Sequence, residues 1–423
     1  MLDIEVGAIT SARMRRADKG LLSLALMDAR NHTLRWINAC ERALREPPLG
    51  VPELPELNPP LWELGHIGWF QEHWIGRNLQ RQRGSHCDPT TPKLASILPH
   101  ADRWYDSSNV PHNTRWQLDL PGLQDTKQYL VHTLETTLEL LEATPDEDDA
   151  LYFHRLALFH EDMHVEAFAM LAQTLDFDAG LLPPLATMAT REPLMFPATR
   201  WRLGSARPER RARPPLGDQA SDGGGFVFDN EKWGHEVDVP EFEIDAQAVS
   251  WAQYCEFVED GGYDERRFWS DEGWAWVQRL ERRTPRHVDQ MRQGVLLRRH
   301  GKMVRVPLTQ PVMHVSWYEA DAWCRWAGRR LPAEVEWEAA AHQGASRGFR
   351  WGDVWEWTAS TLRPYPGFEA DPYLDYSQPW FGTHKVLRGA SFATSSRIRN
   401  AKFRNFYMPE RDDVFCGFRS CAV

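Results

Sequence analysis

The chain has 423 residues, a hydrophobic share of 42% and a formal net charge of −11. This length predicts two or three domains. The negative balance argues against nucleic acid as a partner, because binding to phosphates needs a basic face. The sequence contains no apolar run of about eighteen residues, so it predicts no membrane span. Six cysteines without a C-x-x-C pair favour reduced thiols and a cytoplasmic protein.

Helical periodicity dominates the first 185 residues. The segments that show it are 21–44, 61–79, 124–142 and 151–175. A long loop over 84–122, rich in Pro, Asn, Ser and Asp, separates the second segment from the third, and loops of that length are usually functional or disordered. Together these features predict a four-helix bundle over 1–185, an architecture whose core commonly holds metal sites.

The character of the chain changes near Trp201. Helical periodicity thins out, and glycine, tryptophan and short β-branched runs replace it. The chain has 20 tryptophans, an unusually high number that predicts loop-rich structure held by large aromatic side chains. Helical patterns remain over 250–260 and 317–328. We therefore predict a proline-rich linker over 186–198 and an α+β domain with much irregular structure over 199–423.

Two histidines mark the fourth predicted helix. His160 and His164 stand one turn apart, and the apolar residues around them predict that their shared face lies in a core. Imidazoles in a core are costly unless something binds them. The run His160-Glu161-Asp162-Met163-His164 also matches the H-E-x-x-H pattern of zinc proteases, in which Glu161 would be the general base. The plain alternative is a polar patch inside a helix bundle.

A third histidine in the second predicted helix favours a metal site over a protease. His66 lies between Gly65 and Gly68, two small residues that permit close approach of another helix. The extended zinc-protease motif is absent, since Met170 stands where its last histidine would be. Three neutral imidazoles would bind Fe(II), Zn(II) or Cu(II), and ligand type alone does not choose among them. Open positions on such a metal would suit joint binding of a substrate and O2, whereas a structural zinc site would be closed.

Sequence motifs from both halves resemble known families. Residues 62–70 (WELGHIGWF) and the H-x-x-x-H run at 160–164 resemble the metal pattern of DinB-like four-helix bundles. The C-terminal part resembles the formylglycine-generating-enzyme (sulfatase-modifying factor) fold. The stretches that carry this second resemblance are 201–205, 228–231, 311–317, 330–338, 352–358, 386–392 and 415–419. In this order the two parts resemble the ergothioneine-type sulfoxide synthases, which are Fe(II)- and O2-dependent enzymes that join sulfur to C2 of the imidazole of hercynine (trimethylhistidine).

The resemblance implies an iron-dependent oxidoreductase with assigned site residues. It implies that His66, His160 and His164 are the ligands of Fe(II). It also implies a catalytic tyrosine in the loop after the Trp-Glu-Trp motif, where Tyr373 is the first candidate and Tyr376 the second. A phenol there would supply a proton to the reaction. The alternative for each tyrosine is an aromatic anchor in a loop-rich domain.

Two departures from the family pattern lie in the predicted bundle. Met163 stands where the ligand helix commonly has Gln before its second histidine. His112 and Arg115 stand where enzymes that use γ-glutamylcysteine offer two arginines three residues apart. One guanidinium is therefore missing, and a histidine is a poor replacement for the carboxylate-binding fork of arginine.

A third departure lies near the C-terminus. Phe406 and Tyr407 replace the Trp-Asp of an Asn-Trp-Asp motif, which removes an aspartate that would pair with the ammonium group of an amino-acid donor. Arg411 is retained as a candidate anion contact. These losses favour a neutral, hydroxyl-rich donor. Because the selenoneine synthases of this family use a selenosugar as donor and hercynine as acceptor, we interpret the chain as resembling that branch.

Three alternatives stay open on the sequence. The first is ordinary sulfoxide synthesis from hercynine, O2 and cysteine or γ-glutamylcysteine. The second is a copper-dependent formylglycine-generating protein, which would need a reactive pair such as Cys416 and Cys421, although Cys416 lies in a core motif. The third is a non-catalytic binding module, which would bind no iron.

Overall fold

The computed structural model describes residues 10–45, 47–207, 224–291 and 294–423, and within them the N-terminal part is helical. Its helices in chain order are α1 (Ser11–Met14), α2 (Lys19–Ala43), α3 (Pro60–Gln71), α4 (Ala101–Tyr105), α5 (Leu123–Glu142) and α6 (Asp148–Thr174). The four long ones match the four predicted segments, with α2 packed on α6 and α3 on α5. The second segment ends earlier than predicted as an α-helix and continues as a π-helical turn over Glu72–Gly76.

Local sequence explains where these helices begin. The side chain of Asp18 caps α2 by accepting from the backbone N–H of Leu21 at 2.8 Å. Pro60 occupies the first position of α3, where its missing N–H costs nothing. Asp148 and Asp149 stand in the first turn of α6, where negative charge interacts favourably with the positive end of the helix dipole. Both α3 and α6 are buried along most of their length, so they form the centre of the bundle.

Two glycines let neighbouring segments approach α3. A Cβ added to Gly65 would lie 2.2 Å from the ring of Tyr105 in α4, and one added to Gly68 would lie 2.9 Å from Leu130 in α5. Both contacts are shorter than real Cβ contacts. The predicted close approach is therefore present, and Gly65 allows Tyr105 to lie directly against the turn that carries His66.

The C-terminal part combines four helices with short strands in its described residues. The helices are α7 (Trp251–Glu259), α8 (Asp271–Leu280), α9 (Trp317–Trp326) and α10 (Glu334–Gln343). Capping boxes begin two of them, with Ser250 and Gln253 at α7 and Ser316 and Glu319 at α9. These caps explain why the two predicted helical patterns begin where they do.

The strands form two four-stranded sheets and two smaller ones. In chain order they are β1 (Leu194–Phe196), β2 (Thr199–Leu203), β3 (His235–Val239), β4 (Phe242–Ile244), β5 (Val288–Gln290), β6 (Val295–Arg299), β7 (Lys302–Val306), β8 (Arg329–Arg330), β9 (Trp355–Thr361), β10 (Lys385–Gly389), β11 (Asn405–Tyr407), β12 (Cys416–Phe418) and β13 (Cys421–Ala422). The strand orders are β1-β4-β13-β8, β11-β10-β9-β12, β2-β3 and β5-β6-β7.

The predicted linker over 186–198 is in part a strand. β1 pairs antiparallel with β4, and the ring of Phe196 stacks on that of Phe242 with centroids 5.2 Å apart. The reason is the short apolar run Leu-Met-Phe, which pairs with a strand almost fifty residues further on and buries Phe196. The C-terminal unit therefore begins before residue 199.

Helix α6 joins the two halves. Glu166 accepts hydrogen bonds from Trp355 Nε1 at 2.8 Å and from the hydroxyls of Ser391 and Thr394 at 2.6 and 2.8 Å. One turn earlier, Asp162 pairs with Arg397 at 2.6 Å. The C-terminal unit thus fixes one face of α6 and leaves another face to the bundle. None of the described helices has the length and apolar character that a bilayer crossing requires.

Candidate metal centre

Three histidines from two helices converge inside the bundle. The Nε2 atom of His160 lies 3.2 Å from Nε2 of His66 and 3.1 Å from Nε2 of His164. His160 and His164 come from successive turns of α6, and His66 comes from α3, which packs beside it. Within the described residues, these three form the one group of three or more His, Cys, Asp or Glu with ligand atoms close enough to hold a metal ion.

The other ring nitrogens of two of these histidines are already engaged. His66 Nδ1 donates to the backbone carbonyl of Tyr105 at 2.7 Å, and His164 Nδ1 donates to Glu63 Oε1 at 2.5 Å. Each bond places the proton of a neutral imidazole on Nδ1 and leaves a lone pair on Nε2. Acceptors of this kind orient metal-binding histidines in many proteins.

The electrostatics of the cluster fit a cation. Burial lowers the pKa of His66 to about 3, and burial together with the neighbouring histidines lowers the pKa of His160 well below its ordinary value. The rings of His66 and His160 are therefore neutral near pH 7, and their Nε2 atoms lie 3.2 Å apart. A neutral imidazole keeps a lone pair that can bind a cation. Fe(II), Zn(II) and Cu(II) all accept three imidazoles, so the donor set fits a transition metal.

Aromatic rings cover two sides of the cluster. Phe70 stacks on His160 with centroids 3.6 Å apart and an interplanar angle of 5°, and Trp62 stacks on His66 at 4.9 Å and 9°. His164 is the exception, with 19% of its side chain exposed, and the preceding Met163 is also half-buried. The centre is thus enclosed on the Phe70 and Trp62 sides and accessible beside His164.

Glu161 takes part in a different contact. Its carboxylate is buried and accepts from Arg30 Nε at 2.9 Å and from the hydroxyl of Thr33 at 2.8 Å, both in α2. This ion pair holds α2 against α6. The arrangement favours a structural role for Glu161 over the role of base that the H-E-x-x-H pattern suggests.

The two candidate tyrosines lie at different distances from the centre. The ring of Tyr373 is 6.2 Å from that of His160 and 5.0 Å from that of Phe70. Tyr376 instead stacks on Phe228 at 4.7 Å and lies 6.1 Å from Tyr373. Burial raises the pKa of both phenols, so both keep their protons near neutral pH. The geometry therefore favours Tyr373 over Tyr376 as the proton donor.

The loop that carries these tyrosines is held at both ends. Asp371 accepts from the hydroxyl of Tyr152 in α6 at 2.8 Å and from Lys232 Nζ at 2.7 Å. The hydroxyl of Ser377 donates to Asp229 at 2.6 Å. These buried contacts fix the position of residues 371–377 relative to α6. Sequence reasoning missed them because every partner is remote in the chain.

The predicted substrate contacts in the bundle have different surroundings. His112 Nε2 bonds the backbone carbonyl of Leu57 at 2.6 Å, so this ring is engaged by the main chain. The guanidinium of Arg115 lies 3.8 Å from the ring of Trp62 and donates to Asn58 at 2.7 Å. Among the described residues Arg115 has no carboxylate within ion-pair distance. It therefore keeps a net positive charge beside the ring that stacks on His66.

The predicted contacts near the C-terminus adjoin the tyrosine loop. Phe406 and Tyr407 lie in β11 and are half-buried, and the Phe406 ring is 6.1 Å from that of Tyr376. The guanidinium of Arg411 lies 5.0 Å from the ring of Tyr407 and forms a two-pronged pair with Asp413 at 2.5 and 2.6 Å. Unlike Arg115, Arg411 is already neutralised by a carboxylate of its own chain.

Three further neighbours of the histidines are absent from the residues predicted from the sequence. Glu63, Phe70 and Trp62 contact the ligand rings directly, and all three lie in α3. Their helical spacing from His66, at three or four residues, is the signal that places them on its side of the helix. No local signal points Glu63 to His164, which is 101 residues away.

Comparison with known proteins first defines the class of the C-terminal unit. The family model of the sulfatase-modifying factor enzyme 1-like domain matches residues 208–353 and 350–422. A formylglycine-generating enzyme of Streptomyces coelicolor is 28% identical over 274 residues, which cover 47% of this chain and 83% of that protein. The chain therefore contains a domain of this class, as the sequence motifs predict.

Two longer matches extend over most of the chain, and the first of them defines its family. A hercynine oxygenase of Mycolicibacterium thermoresistibile is 32% identical over 447 residues, which cover 94% of this chain and 94% of that protein. Ergothioneine biosynthesis protein 1 of Schizosaccharomyces pombe is 23% identical over 465 residues, which cover 94% of this chain and 56% of that protein. The chain belongs to the hercynine oxygenase family.

Proposed function

We propose that this chain is an iron- and O2-dependent enzyme that joins C2 of the imidazole of hercynine to the selenium of a selenosugar. The C2–H and Se–H bonds break and a C2–Se bond forms. One oxygen atom of O2 goes to selenium, and the other leaves as water with the two hydrogens, so O2 accepts four electrons. The product is a selenoxide, from which the sugar is removed in a later reaction. The cytoplasm, where thiols and selenols stay reduced, is the proposed location.

The observation that carries the choice of donor is the difference between two arginines. Arg115 keeps an unpaired charge, whereas Asp413 neutralises Arg411. One free guanidinium suits one carboxylate, and hercynine has one. A γ-glutamylcysteine donor would bring two more carboxylates and an ammonium group. Phe406 and Tyr407 offer no charge that would pair with these groups. A neutral sugar donor would therefore bring fewer unpaired charges into the site.

The chain's own residues supply the remaining requirements. His66, His160 and His164 would hold Fe(II), which when bound supplies the capacity to bind and reduce O2. Phe70 and Trp62 exclude water from two sides of the centre. Tyr373 keeps its proton because burial raises the pKa of its phenol, and its ring lies 6.2 Å from that of His160, so it is the proposed proton donor. Aromatic faces such as those of Phe406 and Tyr407 suit a trimethylammonium group.

A direct competition tests the proposal. The protein is reconstituted with Fe(II) under nitrogen and given hercynine, O2 and equal concentrations of a selenosugar, cysteine and γ-glutamylcysteine. Mass spectrometry should detect a hercynine–selenium adduct as the main product. Consumption of γ-glutamylcysteine or cysteine without a selenium product would overturn the choice of donor and leave the hercynine-modifying activity in place.

The second candidate is sulfoxide synthesis from hercynine and a thiol. It is favoured by the names of the relatives, hercynine oxygenase and ergothioneine biosynthesis protein 1. The same competition separates the two candidates, because it offers both chalcogens at once. A sulfur product would show that the single unpaired guanidinium of Arg115 does not determine which donor is used.

The cysteines give no support to a copper-dependent formylglycine-generating reaction. All six are free and buried. Cys416 is fully buried, its Sγ lies 3.0 Å from the carbonyl oxygen of Val315, and burial raises the pKa of its thiol well above the ordinary value. Cys421 is fully buried as well, and burial likewise raises the pKa of its thiol. Neither thiol has the exposed, electropositive surroundings of a reactive cysteine.

A further inference from the structure

A cavity of about 340 Å³ lies where three parts of the chain meet. Trp36 of α2 forms one wall, the connecting segment 178–185 forms another, and the β6–β7 hairpin with Gln310 and Phe392 forms the third. None of the residues that line it is among the predicted metal ligands, tyrosines or substrate contacts. Its size is that of a site for a small organic molecule.

Two buried polar groups in this cavity have no hydrogen-bond partner within the described part of the chain. Trp36 is 1% exposed, and its indole N–H donates to no acceptor. Gln310 is 6% exposed and donates to the carbonyl of Leu185 at 3.0 Å, while its Oε1 accepts nothing. Buried polar groups are normally satisfied, so these two in one cavity indicate a ligand that satisfies them. Arg299 also lines the cavity, and its half-buried side chain forms no ion pair with a described carboxylate.

The charge balance of the lining leaves a single positive charge. Lys302 pairs with Asp178 at 2.8 Å, so these two charges cancel. Burial lowers the pKa of His300 to about 4, which leaves that ring neutral near pH 7. Burial also lowers the pKa of Arg299, and no carboxylate offsets this shift. A guanidinium stays charged even so. The cavity therefore suits a ligand with one negative charge.

The rest of the lining is apolar. Leu181, Leu182, Leu185, Val304 and Phe392 contribute most of it. We propose that this cavity binds a small organic monocarboxylate with an apolar body. Its carboxylate would accept from the fork of Arg299 and from the indole N–H of Trp36, and a hydroxyl or amine on its body would donate to Gln310 Oε1.

Binding of simple carboxylates tests this site in the full-length, metal-loaded protein. Benzoate serves as the probe, and benzamide, which has nearly the same shape without the charge, serves as its neutral control. Ligand-observed NMR and calorimetry should show saturable binding of benzoate and none of benzamide. R299Q should weaken benzoate binding roughly 10- to 100-fold, the value of a hydrogen bond to a charged group. R299K keeps the charge without the fork, so it should weaken binding less.

A neighbouring arginine provides the matched control. Arg298 lies next to Arg299 on β6, is exposed and reaches Asp176 at 3.5 Å. R298Q should bind benzoate as the unmodified protein does. W36F removes one donor and should weaken binding to a smaller extent than R299Q. The proposal is overturned if benzoate does not bind, if benzamide binds equally well, or if R299Q and R298Q give the same affinity.

Discussion

The histidine cluster of the bundle and the ion-pair network of the C-terminal unit differ in where their buried polar groups find partners. In the bundle, the Nε2 atoms of His66 and His164 lie 3.2 and 3.1 Å from that of His160, and the Nδ1 contacts of His66 and His164 leave two of these atoms as acceptors. In the C-terminal unit, the fully buried Glu338 accepts from Arg388, from Lys402 at 3.2 Å and from the backbone N–H of Gly204 at 3.1 Å. The first arrangement lacks a partner that must come from outside the chain. The second supplies the partners of its buried carboxylate from within the chain.

The same kind of charge pairing recurs across the C-terminal network. Arg404 donates two hydrogen bonds of 2.9 Å to Glu334, and Glu356 accepts from Arg419 and from Trp337 Nε1 at 2.7 Å. These groups fix the positions of loops, and their charges are paired with each other within the fold. Pairing with opposite charges inside the chain therefore distinguishes this network from the histidine cluster, a distinction that burial alone does not make.

Removal of one ligand should have the largest effect. His160→Ala takes away the central imidazole, so bound iron measured by elemental analysis should fall to background and adduct formation should fall by at least about 100-fold, since even the groups behind metal ligands are worth roughly 10- to 100-fold. His73→Ala is the control. His73 is also half-buried, and its Nδ1 has no partner, but it contacts Trp69 and Trp74 instead of the cluster. Equal metal loss in both variants would contradict the assignment.

The choice between the tyrosines comes next. Tyr373→Phe removes the hydroxyl of the ring that lies 6.2 Å from that of His160, and it should lower the rate of adduct formation by about 100- to 10,000-fold, the range of a positioned proton donor, with metal content unchanged. Tyr376→Phe should change the rate much less, because that ring stacks on Phe228. The two rates, measured under saturating O2 and hercynine, decide between them. A larger loss for Tyr376→Phe would reverse the assignment.

A substitution in the C-terminal network should lower the free energy of unfolding without changing the metal centre. Glu338→Gln leaves the buried Arg388 without its main anion, so unfolding by urea should become easier by about 3–5 kcal/mol. Burial opposes ionisation of Glu338, yet Arg388 and Lys402 hold its pKa below the ordinary value, which shows that the carboxylate is charged in the fold. Iron content per folded molecule should stay the same. Loss of iron before unfolding would show that the two regions are not separate.

An exposed pair provides the scale for that measurement. Arg325 reaches Asp321 one turn away in α9 at 2.9 Å, with about half of its side chain in solvent. Arg325→Gln should cost only about 0.3–0.5 kcal/mol. A similar cost for both variants would mean that burial adds nothing to the pair at Glu338.

The sequence predicted those features that depend on local spacing. The four long helices and the H-x-x-x-H pair are set by residues within one or two turns of each other, so periodicity was sufficient to find them. The pairing of β1 with β4 and the capture of Asp371 by Tyr152 depend on partners that no pattern identifies. The boundary of the linker and the anchoring of the tyrosine loop were missed for that reason.

The motifs predicted ligand types but not their surroundings. His66 was expected near His160 and His164, and the structure brings their Nε2 atoms together. His112 and Arg115, by contrast, were grouped by their spacing, yet one ring is taken by a backbone carbonyl while the other side chain keeps its charge. Whether a polar side chain is already satisfied depends on the whole fold, and sequence spacing does not contain that information.

The smallest effect on metal binding is expected from Glu63, which holds one ring of the histidine cluster. Glu63 accepts the Nδ1 proton of His164, which orients the ring and increases the basicity of Nε2. Glu63→Gln keeps the shape and one acceptor but removes the negative charge. Metal affinity, measured by competition with a chromophoric chelator, should fall roughly 10- to 100-fold. Glu53→Gln, an exposed change in the loop before α3, is the control and should leave the affinity unchanged.

The result for Glu63 sharpens the contrast between the two regions. If the carboxylate only holds the ring in place, the Gln variant should bind metal almost as tightly, because the amide oxygen still accepts from Nδ1. If the charge itself matters, affinity should fall while the unfolding free energy of the metal-free protein changes little. The opposite pattern, a large loss of stability with unchanged affinity, would make Glu63 a member of a structural network like that of Glu338. The histidine cluster would then owe its affinity to the convergence of its three rings alone.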